Sequence, residues 1–103
     1  MNDYAFHPEA EADLGAIWEF IAEDNDQAAN RMIDEIEKTI EGLVRFPHQG
    51  HRRPDLTSLS LRFAIARNYL IAYAPEKKPL WIVAVFHGRR SPRLIASLLE
   101  ERE

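Results

Sequence analysis

The chain has 103 residues, of which 46% are hydrophobic and 29% are charged, and it contains no cysteine. This length suits a single domain over residues 1–103, and the lack of cysteine excludes disulfide bonds and thiolate metal sites. No apolar run approaches the ~20 residues that span a bilayer, and the N-terminus does not resemble a signal peptide, so we expect a cytoplasmic protein without membrane contact.

Charge is divided unevenly along the chain. Residues 1–41 hold 12 acidic and 2 basic side chains, whereas residues 42–97 hold 2 acidic and 10 basic side chains. Such asymmetry often marks an anionic partner for the basic part, but two halves of opposite charge also attract each other within one fold. Charge alone leaves both interpretations open.

A short strand over residues 4–7 is predicted to lead into a first helix. Pro8 suits the first position of that helix, where its missing N–H costs nothing. Apolar residues then recur at helical spacing from Ala10 to Ile21, which predicts a helix that ends near residue 23. Trp18 lies on the same stripe and is expected in the core.

A second apolar stripe runs from Ala29 to Leu43 and predicts a second helix. The helix should end near Arg45, because Pro47 disfavours helical geometry in the residue before it. Two amphipathic helices joined by so short a turn form an antiparallel hairpin, and such a hairpin packs most simply on a sheet.

The second half predicts three strands, over residues 61–65, 69–74 and 80–87, that are apolar on both faces. Strands of this kind are typical of the centre of a sheet, and the short turns between them favour an antiparallel meander. Pro92 is expected to start a terminal helix. The predicted fold is therefore α+β with the order βααβββα, a small antiparallel sheet packed against the N-terminal hairpin.

Arginines lie at the starts of these strands, in the turns between them and at their ends, where a small sheet can present them on one surface. They are Arg62, Arg67, Arg89, Arg90 and Arg93. A solvated surface without a partner, or a salt bridge from Arg89 or Arg90 to the acidic helices, remains the alternative.

Histidine and tyrosine invite a catalytic interpretation of the same region. His7 and His87 each end a strand, and neighbouring strands could bring them together, but no cluster with metal-ligand spacing is present. Tyr69 and Tyr73 share one strand face, where tyrosines more often line a core or a groove than catalyse.

Taken in order, several segments resemble the ParE/RelE toxins of bacterial type II toxin–antitoxin pairs over about residues 4–96. The resemblance rests on the strand before the first helix, the helical hairpin with its Phe-Pro ending, and the later strands. The segments are Pro8-Glu9-Ala10, Asp13-Leu14, Phe46-Pro47, Gly50, Arg62, Tyr69-Leu70-Ile71-Ala72-Tyr73 and Val83-Ala84-Val85-Phe86-His87-Gly88-Arg89-Arg90.

The superfamily has two main activities, and the residues favour one of them. RelE-like members are ribosome-dependent messenger RNA endoribonucleases that use basic side chains and usually a tyrosine, whereas ParE-like members inhibit DNA gyrase by binding it. Arg62 and Arg90 match two RelE-type arginines, but the tyrosine position falls on Ala96 and the expected lysines are missing from residues 56–60. Because arginine stays protonated, it is a poor general base, and the chain therefore looks closer to ParE.

The resemblance implies the toxin of a type II module that is neutralised by a cognate antitoxin and has DNA gyrase as its target. It implies no cofactor, no metal, no stable binding of nucleic acid by the chain alone, and a possible homodimer or hetero-oligomer with the antitoxin. The partner-binding residues would be Arg62, Arg67, Tyr69, Tyr73, His87, Arg89, Arg90 and Arg93. A ribonuclease that uses Arg62, Arg90 and His87, or a nontoxic interaction module with the same fold, is the alternative.

Overall fold

A computed structural model describes residues 3–102. Its elements are β1 (Tyr4–Phe6), α1 (Pro8–Ala22), α2 (Asp26–Arg45), β2 (Arg62–Ala66), β3 (Tyr69–Ala74), β4 (Leu80–His87) and α3 (Pro92–Glu101). The predicted α+β fold and its βααβββα order are confirmed. Within the described residues, no helix is both long enough and apolar enough to cross a membrane.

Side chains define where the two hairpin helices begin. His7 precedes α1, and its Nδ1 accepts a hydrogen bond from the Glu9 N–H at 3.0 Å. Asn25 precedes α2, and its Oδ1 accepts from the Ala28 N–H at 3.0 Å. These acceptors satisfy N–H groups that lack a partner inside each helix, and the Asn25 cap lets α2 begin at Asp26, close behind the end of α1 at Ala22.

The four strands form one sheet in the order β1-β4-β3-β2. The meander of β2, β3 and β4 is antiparallel, as predicted, whereas β1 pairs with β4 in parallel, which makes the sheet mixed. The His7 N–H donates to the Ile82 carbonyl at 2.8 Å. Neighbouring strands could have brought His7 and His87 together, but the two lie apart, because the advance of five residues along β4 from Ile82 to His87 covers about 16 Å of strand.

Both faces of the sheet are covered, as the apolar strands predicted. The helical hairpin covers one face, and its core includes Ile36, Ile40, Leu43, Ile71, Tyr73 and Ile82. Helix α3 and the loop before β2 cover the other face, where the core includes Leu56, Leu61, Phe63, Phe86, Ile95 and Leu99.

Trp18 departs from its predicted place in the core. Its side chain is 37% exposed, and its indole N–H donates to Asn30 Oδ1 on α2 at 2.8 Å. The centre of the buried stripe is formed by Ala10 and Ile17, and Trp18 lies one residue around the helix from Ile17. It therefore bridges the rim of the hairpin and does not enter the sheet interface.

Candidate protein-binding site

Six of the eight predicted site residues lie around one end of the sheet, which we call the cationic end: Arg67, Tyr69, His87, Arg89, Arg90 and Arg93. The register explains the grouping, because Tyr69 of β3 lies directly opposite His87 of β4. The Gly88 N–H donates to the Asn68 carbonyl at 2.8 Å and joins the β2–β3 turn to the end of β4. Arg93 follows in the first turn of α3.

His87 organises the turn that carries the exposed arginines. Its ring meets Tyr69 edge to face, with centroids 5.3 Å apart. Its Nδ1 accepts from the Arg89 N–H at 3.1 Å, and its carbonyl accepts from the Arg90 N–H at 3.1 Å. Because Tyr69 is buried beneath it, the turn has a fixed base, and Arg89 and Arg90 project from that base into solvent.

Arg67 differs from the other arginines because its charge is compensated. It occupies the left-handed region of the β2–β3 turn (φ 55°), and its guanidinium forms an ion pair with Glu35 of α2. Within residues 3–102, Arg89, Arg90 and Arg93 form no ion pair with a carboxylate. The salt bridge to the acidic helices that was considered for Arg89 or Arg90 is thus made by Arg67.

The Arg67–Glu35 pair gives stability that depends on pH. The hydrogen bond from Arg67 lowers the pKa of the Glu35 carboxyl, so the stabilisation is present above the ordinary pKa of glutamate and is lost as pH falls through the lowered pKa. We expect Glu35→Gln to unfold at slightly lower urea concentration than wild type at neutral pH and at the same concentration in strong acid. Asp34→Asn, which removes a neighbouring carboxylate that forms no ion pair within residues 3–102, is the control and should unfold at the wild-type urea concentration at neutral pH.

Arg62 and Tyr73 lie away from this site. Arg62 pairs with Tyr73 at the start of β2, and the four-residue advance to Ala66 covers about 13 Å of strand. The expectation that all the arginines share one surface is therefore wrong for Arg62. Its Nη1 donates to the Gly50 carbonyl at 2.7 Å, beside a cavity of about 170 Å³ that His48 and Arg52 also line.

Tyr73 holds the loop after α2 in place. Its side chain is fully buried, its hydroxyl donates to the Pro47 carbonyl at 2.6 Å, and the same oxygen accepts from the Gly50 N–H at 3.0 Å. Burial raises the pKa of this phenol, and the Gly50 hydrogen bond and the nearby Arg62 charge oppose that rise. Tyr73 therefore fixes the segment between α2 and β2, and its full burial does not favour the prediction that it binds a partner.

Removal of the Tyr73 hydroxyl should lower the free energy of unfolding by a measurable amount. Tyr73→Phe leaves the Pro47 carbonyl and the Gly50 N–H without their partner, and we expect a loss of about 2 kcal/mol in the free energy of unfolding, measured by urea denaturation. Tyr69→Phe is the matched control, because the Tyr69 hydroxyl has no hydrogen-bond partner in the part of the chain that the structure describes. Equal effects of the two substitutions would contradict the role given to Tyr73.

One structural pair near the site was missed in the sequence. Asp13 of α1 and Arg102 after α3 form a two-pronged ion pair, with Nη1–Oδ2 at 2.6 Å and Nη2–Oδ1 at 3.0 Å. Arg102 also donates to the Val83 carbonyl at 3.1 Å, and Asp13 accepts from the Val85 N–H at 3.0 Å. The pair ties α3 to β4, but no sequence signal links residues 89 positions apart.

The histidines do not build a metal site in the described part of the chain, where no three His, Asp or Glu side chains are placed to hold an ion. His48 Nε2 lies 2.7 Å from Glu76 Oε1 on the surface, and His87 is engaged in its own turn. The arrangement as a whole is suited to binding: exposed positive charge on a fixed base.

A comparison with known protein families identifies the family of this chain. The family model described as the ParE toxin of the type II toxin–antitoxin system parDE matches residues 4–92. The chain belongs to this family. As a ParE-family toxin it is the toxin of a type II toxin–antitoxin module, a class that has an antitoxin partner and whose ParE members are generally not enzymes. The search of curated proteins returned no match.

Proposed function

We propose that this ParE-family toxin inhibits DNA gyrase by binding it in the bacterial cytoplasm, and that a cognate antitoxin neutralises it by covering the cationic end. The observation that carries the proposal is the set of exposed arginines, Arg89, Arg90 and Arg93, which lack carboxylate partners among residues 3–102 and stand next to a rigid Tyr69–His87 base. Uncompensated charge on a fixed frame favours recognition of an acidic partner.

The placement of Arg62 and Arg90 supports binding over RNA cleavage. A ribonuclease of the RelE type needs its basic side chains around one phosphate, together with a proton donor and acceptor. Arg62 is held by the Gly50 carbonyl at the opposite end of the sheet from Arg90, and Ala96 offers no acid–base group. His87 is the one proton acceptor among the proposed catalytic residues, and its Nδ1 already receives the Arg89 N–H.

The proposal gives a physical reason for the uneven distribution of acidic and basic residues along the chain. Part of the acidic first half is used inside the fold, where Asp13 and Glu35 pair with Arg102 and Arg67. Three arginines without a carboxylate partner among residues 3–102, Arg89, Arg90 and Arg93, gather at the cationic end, so an acidic antitoxin is steered there. Charge steering of this kind raises the association rate and falls with increasing salt.

Induced expression of the chain alone in a bacterial host tests the proposal. Growth, plasmid supercoiling and total protein synthesis are followed together. We expect growth arrest with loss of negative supercoiling while translation is initially normal, and relief of the arrest when the antitoxin is co-expressed. The variant Arg89→Glu/Arg90→Glu should lose toxicity or escape the antitoxin, whereas Arg31→Glu/Arg45→Glu, which reverses two exposed arginines of α2, should behave as wild type.

Two other results would contradict the proposal. A prompt translation block with cleaved messenger RNA would assign the RelE-like activity, and Arg62→Ala or Arg90→Ala should then abolish the cleavage. Normal growth with soluble protein present would assign a nontoxic interaction module that retains the fold.

A further inference from the structure

The cavity beside Arg62 brings three basic side chains together at the end of the sheet opposite the cationic end. His48, Arg52 and Arg62 line this cavity, which has a volume of about 170 Å³ and which we call the Arg62 cavity. The first two belong to the loop after α2, and the bridge between His51 and Phe63 holds that loop against β2. The fold therefore gathers positive charge that is dispersed along the sequence.

A series of hydrogen bonds that begins in the core holds Arg62 in place. Tyr73 is fully buried, and its hydroxyl donates to the Pro47 carbonyl at 2.6 Å and accepts from the Gly50 N–H at 3.0 Å. The Gly50 carbonyl in turn accepts from Arg62 Nη1 at 2.7 Å. The guanidinium is thus oriented before any ligand arrives, which reduces the entropy that a ligand loses the protein on binding.

The charge of Arg62 is not compensated by a carboxylate in the part of the chain that the structure describes. Arg62 is half-buried, and the Gly50 carbonyl that it binds is neutral. Arg52 likewise forms no ion pair within residues 3–102. A cation that is partly removed from water attracts an anion strongly, because the protein around it screens charge less than water does. The Arg62 cavity thus has two guanidiniums that can bind an anion.

The carboxylate of Glu76 also lines the Arg62 cavity, but it is paired with His48 and not with the arginines. Glu76 Oε1 lies 2.7 Å from His48 Nε2, and the two side chains are 75% and 58% exposed, so the pair lies at the solvent side of the cavity. Ser60 adds a hydroxyl group to the lining. Two arginines against one carboxylate leave an excess of positive charge whether or not the His48 ring is protonated.

The size and the donors of the cavity indicate the class of its ligand. A volume of about 170 Å³ is below the ~300 Å³ at which sites for drug-sized molecules begin, so the ligand is a small group. Guanidinium groups bind phosphate oxygens through two parallel N–H donors, and a hydroxyl group can donate to a third oxygen. A phosphate monoester carries about −1.5 to −2 charges at neutral pH, which two arginines match.

We propose that the Arg62 cavity is a binding site for a phosphate group. Arg52 and Arg62 bind its oxygens through their guanidiniums, Ser60 donates its hydroxyl, and Glu76 limits the affinity by repulsion. The group is free inorganic phosphate or the phosphate end of a larger molecule. No bond forms or breaks, and His87 and the cationic end take no part, because they lie at the other end of the strands. The site does not depend on the proposed function.

Titration of the ¹⁵N-labelled full chain with inorganic phosphate, followed by NMR, tests the proposal. We expect saturable shifts of the amide resonances of Ser60, Leu61 and Arg62, while the amides of Arg89 and Arg90 move little. Sodium chloride at the same ionic strength should not produce the shifts. Amide shifts that do not saturate, or that are as large at the cationic end as at the Arg62 cavity, would overturn the inference.

Three substitutions separate a specific site from the effect of net charge. Arg52→Gln leaves the hydrogen bonds of Arg62 intact and should weaken phosphate binding by about tenfold, as expected for one lost charged hydrogen bond. Glu76→Gln removes the repelling carboxylate and should strengthen binding. Lys77→Gln removes one positive charge next to Glu76 but outside the cavity, so it is the matched control for Arg52→Gln and should bind as wild type. Equal weakening by Arg52→Gln and Lys77→Gln would overturn the inference.

A second titration distinguishes the two sources of the phosphate group. The probes are a dinucleotide with a 5′-phosphate and the same dinucleotide without it. Tighter binding of the phosphorylated dinucleotide than of inorganic phosphate at the same amides would support the site and assign the phosphate end of a nucleotide. Tighter binding of inorganic phosphate would support the site and assign the free ion. Equal binding of both dinucleotides at these amides would overturn the inference, because the phosphate group would then not be what is recognised.

Discussion

Asp13→Ala is expected to lower the free energy of unfolding by about 3–5 kcal/mol, because it leaves the Arg102 guanidinium buried without its counterion. The side chains of Arg102 and Asp13 are only 7% and 17% exposed. The substitution also takes the acceptor away from the Val85 N–H, which Asp13 binds at 3.0 Å. Both effects act at the point where α1, β4 and the end of α3 meet.

Urea denaturation of Asp13→Ala, Arg102→Met and the double variant measures this contribution. The double variant should be less destabilised than the sum of the single variants, because removal of both partners leaves no lone buried charge. Asp55→Ala, which breaks the exposed Arg53–Asp55 pair, is the control and should have little effect. Additive single effects would show that Asp13 and Arg102 do not act as a pair.

Gly50→Ala is expected to cost about 3 kcal/mol, since the added methyl group has no space. A Cβ at this position would lie 2.4 Å from the Tyr73 hydroxyl and 2.9 Å from the Phe63 carbonyl oxygen. The strand backbone cannot easily move, and a shift of Tyr73 breaks its bonds to the loop. The loop before β2 and the backbone pair of His51 with Phe63 should loosen together.

Gly15→Ala provides a control of opposite sign. Gly15 lies inside α1, and a Cβ there would meet nothing within 4 Å. Because alanine favours the helix over glycine, we expect this variant to be more stable by about 1 kcal/mol. If calorimetry shows the same change in stability for both glycine variants, close packing against Tyr73 is not the reason that position 50 requires glycine.

Much of the fold was predictable because its signals are local. The apolar stripes of α1 and α2, the proline at the start of α1 and the double-sided apolar strands each reflect the geometry of a single element. The parallel pairing of β1 with β4 was not predictable in the same way. It depends on how the helical hairpin packs on the sheet, and no residue of Tyr4–Phe6 indicates which strand will be the neighbour of β1.

The candidate site was predictable only in part, for a related reason. Arg89, Arg90 and His87 follow one another, so their grouping needed no knowledge of the fold. Tyr69 joins them because a short antiparallel turn fixes its register with β4. Arg62 was misplaced because the arginines were grouped by their charge alone, although the predicted meander already put Arg62 one strand length away from Arg67 in the β2–β3 turn.

Pairs distant in sequence escaped prediction altogether. Asp13 and Arg102 each look like ordinary surface charges, since acidic residues near a helix N-terminus and basic residues near a chain end are common. Only the packing of α3 against β4 brings them together. The 68% exposure of Ile65 on the edge strand β2 escaped prediction for the same reason, because a strand in the sequence does not show which neighbours it will lack.

Inhibition of DNA gyrase is tested most directly with the purified chain, purified DNA gyrase and relaxed plasmid. Ribosomes translating a defined messenger RNA are assayed in parallel. We expect inhibition of supercoiling that rises with toxin concentration and is reversed by the antitoxin, while the messenger RNA stays intact. Unimpaired supercoiling together with cleavage of the messenger RNA would contradict it, and would assign the chain to the ribonuclease branch of its superfamily.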